Sequence, residues 1–132
     1  MRRACETALA ISSAVPGCKV EVHPLLYEVG GIYRSSPKPQ LSRGISFSAS
    51  AGCGMTRQDF ASSFPMFDVS RLPQDGPWNE DKGYESTNES IQRAADIANW
   101  LHSKELHQEV GEDGMVVLVS HADFLALLLV RR

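Results

Sequence analysis

Cysteine is scarce in this chain and unpaired. Cys5, Cys18 and Cys53 are odd in number and form no C-x-x-C pair, which argues against a disulfide framework and against a structural zinc site. A reducing compartment follows, and the cytoplasm is the simplest expectation. Neither sign of charge dominates. A net charge of −3 with a pI near 5.8 gives no basic footprint for nucleic acid, so any anionic ligand must be gripped by local positive groups. Long apolar runs are missing as well: Leu125–Val130 falls far short of the ~20 residues a membrane span needs. Arg2 and Arg3 precede an alanine-rich stretch, but Glu6 interrupts it, which favours an ordinary helix over a targeting peptide. Neither a G-x-x-x-x-G-K-[ST] loop nor a G-x-G-x-x-G fingerprint occurs. His23, His102, His107 and His121 lack tight ligand spacing. No metal and no cofactor is therefore expected.

What is present is a globular pattern. A hydrophobic fraction of 42% is enough for a packed core. Arg3 to Ala14 reads as a helix with Ala4, Ala8, Ile11 and Val15 on one face, stopped by Pro16-Gly17. Lys19-Val-Glu-Val-His23 alternates as a short strand would, closed by Pro24. Gly30-Gly31 marks a bend. Ser35 to Gly54 and Arg71 to Gly83 read as loops, with Thr56 capping a short helix, Arg57 to Ser63, between them. Ser86 and Glu89 have capping-box spacing. Ile91, Ala94 or Ala95, Ala98, Leu101 and Leu106 then trace an apolar face, opposite a polar face that includes Gln92, Arg93 and Asp96. Gly111 and Gly114 flank a turn into the strand Met115–Ser120, and Asp123 opens a last helix. Strands alternating with helices predict an α/β fold with a parallel sheet. Two recognisable strands are too few to stand alone, so the chain reads as a piece of a larger domain.

The residue that focuses the chemistry is His121. It follows an apolar, β-branched run and precedes a helix, which is where open α/β sheets bind ligands. Beside free helix N–H groups an imidazole can bind a phosphoryl oxygen; the alternative is a hydrogen-bonded structural histidine. Ser120 is not a nucleophile elbow, because the glycines of Gly-x-Ser-x-Gly are missing. Glu28 sits among apolar neighbours before the glycine pair, a setting in which a carboxyl group can act as a general acid, although most glutamates are simply solvated. An arginine at the head of the first helix, Arg3 or equally Arg2, opposes the helix dipole and so hints at an anionic partner.

Taken together, these segments resemble the histidine phosphatase superfamily, the phosphoglycerate mutase-like proteins. Arg3-Ala-Cys-Glu-Thr-Ala8 resembles its Arg-Ala-x-x-Thr-Ala helix start, and Leu26-Tyr-Glu28 with Gly30-Gly31 its Leu-x-Glu segment. Gly54 to Phe60 with Phe64-Pro65 resembles the lid region, and Tyr84-Glu-Ser86 with Arg93-Ala94 the Gly-Glu-Ser…Arg helix entry. Val117-Leu-Val-Ser-His121 resembles the strand that delivers the second histidine. The resemblance implies a partial three-layer αβα domain over residues 1–132, with a mostly parallel sheet missing its first central strand and a loop-rich insertion at about 34–84. It also implies phosphoryl transfer through a phosphohistidine. Glu28 and His121 would be catalytic, and Arg3, His121 and Ala122 would bind phosphate. The chain departs from the family in containing no Arg-His-Gly, the motif that carries the nucleophile. Tyr84 and Ala122 each replace a usual glycine.

The expectation is therefore a fragment of a phosphomonoesterase that is inactive as it stands, acting when intact on a phosphorylated small molecule or phosphoprotein, with no nucleic-acid or membrane partner. Two other readings compete with it: a non-catalytic phosphate-binding or interaction module, and a chain in which His121 or His23 serves as the nucleophile. The pattern specifies no oligomeric state.

Overall fold

The computed structural model describes residues 2–31, 54–78 and 85–130. Five helices make up 50% of them: α1 (Arg2–Ala14), α2 (Arg57–Ser63), α3 (Thr87–Leu101), α4 (Lys104–Val110) and α5 (Ala122–Val130). Local chemistry sets the ends. Thr56 and Ser86 each accept a hydrogen bond from the backbone N–H three residues on, and Asp59 and Glu89 return the bond, so α2 and α3 both open on complete capping boxes. Ser103 caps α4, and Gly111 ends it with a positive φ of 79°.

The α/β expectation is overturned. There is no strand and no sheet among the described residues, so the three-layer arrangement with a parallel sheet is not what they form. The Lys19–His23 alternation yields one parallel bridge, Glu21 to Asp68, framed by hydrogen bonds of 2.8 Å from Val22 N–H to Asp68 and from Asp68 N–H to Val20. Met115–Ser120 is non-helical and joins no ladder among the described residues. Met115 is 84% exposed and Val117 56%. The physical reason is that β structure needs a partner: an apolar, β-branched run supplies propensity but no neighbour to bond.

The rest divides into two cores. The first gathers Cys5, Val22, Tyr27, Phe60, Phe64, Phe67, Leu72 and Trp78; Phe64 and Phe67 stack at 5.0 Å, and Tyr27 meets Trp78 edge-on at 5.3 Å. Gly54 lies so close to Trp78 that a Cβ there would stand 2.4 Å from the indole, so only glycine fits. The second core packs α3 on α5 through Ala94, Ile97 and Phe124, with Leu25, Leu26 and Val29 against them. Residues 25–29 thus touch both cores.

Two helix faces differ from their expected phase. On α1 the buried positions are Cys5 and Ser12, with Val15 50% exposed beyond the helix end. Ser12 is tolerated inside because its hydroxyl donates to Leu9 O at 3.0 Å. On α3 the buried stripe is Ser90, Arg93, Ala94 and Ile97, and the helix ends before Leu106, which belongs to α4. Arg93, expected on the polar face, is only 4% exposed.

Arg93 is buried because it is fully engaged. It donates to both carboxylate oxygens of Glu85 at 2.6 Å, to Leu25 O at 2.8 Å, to Tyr27 O at 2.9 Å and to Glu28 O at 3.2 Å. Its guanidinium lies 3.6 Å from the Tyr27 ring centroid and 4.2 Å from that of Phe124. Burial pushes the Glu85 pKa upward. Hydrogen bonds from Arg93, Ser90 and Tyr27, with the Arg93 charge, outweigh it and hold the carboxyl below its usual value. Removing one partner of a buried pair strands the other, so Arg93→Ala is expected to destabilise the chain by about 3–5 kcal/mol in urea unfolding. Arg2→Ala, which breaks the exposed Arg2–Glu6 pair, is the control and should be nearly neutral. Because Met115–Ser120 presents apolar side chains without a ladder partner among the described residues, Val117→Lys should raise the concentration at which light scattering still reports a monodisperse chain.

Candidate functional site

His121 stands where the extended segment 115–120 meets α5. Its carbonyl accepts the first helical hydrogen bond, from Leu125 N–H at 2.9 Å. The N–H groups of Ala122, Asp123 and Phe124 therefore have no acceptor within the helix. Ala122 is exposed at the first position of α5, and Asp123 lies in its first turn.

Glu28 approaches from the 25–31 loop. Arg93 and Gly30-Gly31 shape that loop: the two glycines adopt φ of 87° and 103°, a region that side-chain-bearing residues avoid, and Glu85 N–H bonds Gly30 O at 3.0 Å. Glu28 Oε1 accepts from Val29 N–H at 2.9 Å, while Oε2 lies 3.5 Å from His121 Nδ1. At that separation the contact is electrostatic rather than a hydrogen bond of ordinary length. Two residues distant in sequence are thus brought together. Arg3 is exposed near the start of α1, and its positive charge is felt at His121.

The electrostatics of His121 follow from this placement. Burial pushes its pKa below the ordinary 6.5. The Arg3 charge pushes the same way, and Glu28 opposes it. The resting imidazole is therefore neutral near pH 7. A carboxylate facing Nδ1 favours the tautomer protonated there, which leaves a lone pair on Nε2. That atom is buried and has no hydrogen-bond partner among the described residues; the same holds for Ser120 Oγ. A buried polar atom left unpaired costs about 1–3 kcal/mol, so Nε2 is a natural point for a ligand to engage.

The other candidates are placed elsewhere. His23 accepts from Leu25 N–H at Nδ1 and packs on the Trp100 ring at 4.5 Å, and burial, aided by Arg71, lowers its pKa. Arg57 donates to the carbonyls of Ser70, Leu72 and Pro73. Cys53 and Tyr84, and the loop Ser35 to Gly54 apart from Gly54 itself, lie outside the described residues. Among the described residues no three His, Cys, Asp or Glu side chains converge as metal ligands, and no helix is long and apolar enough to cross a membrane.

Arg93 and Glu85 matter to this site, yet periodicity hides them. A signal existed: Ser90, Arg93, Ala94 and Ile97 fall at i, i+3, i+4 and i+7, but two of the four are polar. Comparison with protein-family models, curated proteins and solved structures finds no match to this chain.

The two half-buried histidines set a pH dependence. Each has a folded pKa below 6.5, so the unfolded chain binds more protons in that range. Their stabilisation is present above pH 6.5 and is lost as pH falls through the folded values, at up to about 1.4 kcal/mol per pH unit for each group. Urea midpoints measured downward from neutrality should fall accordingly, and His121→Gln should remove one histidine's share of the slope.

Proposed function

We propose that this chain carries the anion-gripping and proton-handling part of a histidine phosphatase-like site, and that its ligand is a phosphomonoester, either a phosphorylated small molecule or a phosphoprotein in the cytoplasm. The observation that supports this is the meeting of His121 and Glu28 at 3.5 Å, with His121 Nε2 unpartnered among the described residues. The proposal rests on the site and not on a sheet. An arriving phosphate dianion raises the proton affinity of the imidazole, so that Nε2 gains a proton and donates to a phosphoryl oxygen. The free N–H groups opening α5 at Ala122 and the positive charge of Arg3 act on the same anion. Water attacks phosphorus as the bond to the leaving oxygen breaks; the protonated form of Glu28 gives its proton to that oxygen, and the proton lost by the attacking water restores it.

A second reading, binding without turnover, is favoured by the absence of Arg-His-Gly from the sequence. One experiment addresses both. Inorganic phosphate at 100 times its Kd should stabilise the fold by about 2.7 kcal/mol in thermal unfolding. The protection should vanish in His121→Ala and weaken in Arg3→Ala. No protection, or protection unchanged in His121→Ala, would overturn the proposal. Hydrolysis of glycerol 2-phosphate, whose alkoxide leaving group needs a proton, that is lost in Glu28→Gln separates catalysis from binding alone.

A further inference from the structure

We propose that Arg93 is a positioning residue for the Glu28–His121 pair: its guanidinium, pinned by Glu85, fixes the carboxylate against the imidazole by holding the segments that carry each. The inference rests on the functional reading of that pair, and its test does not require a phosphorylated ligand.

The geometry is that of a clamp. On one side Nη1 and Nη2 donate to three carbonyls of a single short stretch, Leu25, Tyr27 and Glu28. A loop held at three points has little freedom to move its side chains away. On the other side the guanidinium lies over the Phe124 ring at 4.2 Å, and Phe124 is a fully buried residue in the first turn of α5, three positions after His121. The guanidinium itself is held by the two-oxygen fork to Glu85, whose carboxylate also accepts from Tyr27 Oη at 3.2 Å and Ser90 Oγ at 2.7 Å. Glu85 N–H returns to Gly30 O, so the pair brackets Glu28 from before and after. Lysine in place of Arg93 keeps the charge but cannot make the planar fork and reach the carbonyls together. Arg93 touches the main chain of Glu28, not its carboxylate, so its role is exercised through that residue.

The readout is the NMR titration of His121 in the full chain. The charged side chains acting on its ring are Glu28, which favours the imidazolium, and Arg3, which disfavours it. Glu28→Gln should move the His121 titration to lower pH. Arg93→Lys and Glu85→Gln should move it in the same direction, because a released loop takes the carboxylate away. Combining either with Glu28→Gln should add nothing further, the signature of action through one residue. A merely structural role predicts lost stability with the His121 titration unchanged. That result in a folded Arg93→Lys, or in the shape-conserving Glu85→Gln should the lysine variant unfold, overturns the proposal. So does a Glu28→Gln chain that titrates at His121 as the parent does. Failure of phosphate to bind the parent chain overturns the functional reading and leaves this measurement intact.

Discussion

The ion pair between Arg93 and Glu85 is the constraint on which the described structure turns. Buried charge is expensive to desolvate, and a pair that is not fully hydrogen-bonded destabilises the fold that contains it. Here the geometry is near complete: a planar fork to a carboxylate, three main-chain carbonyls, and aromatic faces on the guanidinium. The arrangement exists only when α3, the 25–31 loop and α5 are all in place. It converts three separate segments into one cooperative unit at the boundary of the two hydrophobic cores.

The candidate site sits on the rim of that unit. Glu28 follows directly on Tyr27, whose side chain belongs to the first core, and His121 precedes Phe124, which belongs to the second. Neither needs to be held by its own side chain, because each is carried by a neighbour anchored in a core. Their side chains stay free for chemistry while the backbones stay fixed, which is the division of labour a preorganised site requires. The same logic explains the histidine's neutrality. Burial beside a core and positive charge nearby outweigh one half-exposed carboxylate.

The segment before His121 contrasts with this order. Met115 to Val117 carry the strongest β propensity in the chain yet lie open to solvent, and the run becomes half-buried only from Leu118 onward. Propensity and burial point in different directions over these three residues. The conflict resolves at α5, where Leu118 packs with Phe124, Leu127 and Leu128, so the end of the segment that bears the histidine is the end that is fixed.

Much of the local structure was legible in the order of residues. The boxes at Thr56 and Ser86, the stop at Pro16-Gly17, the bend at Gly30-Gly31 and the start of α5 beside Asp123 are short-range chemistry, decided within a few residues by which groups cap, kink or free the backbone. His121 stood out from its neighbours, a β-branched run and a helix start, whereas Glu28 was singled out only through the family resemblance. Their 3.5 Å separation could not be read there, since nothing local relates position 28 to position 121. Nor could the sheet be judged: alternation at 19–23 and a β-branched run at 115–120 express a preference, and a preference becomes a strand only when another chain segment offers its hydrogen bonds. The sequence by itself determined where α2, α3 and α5 begin and where α1 ends, but not the break between α3 and α4. The tertiary structure alone decided that Arg93 turns inward, because an arginine belongs in a core only if a carboxylate and carbonyls from distant positions arrive to meet it.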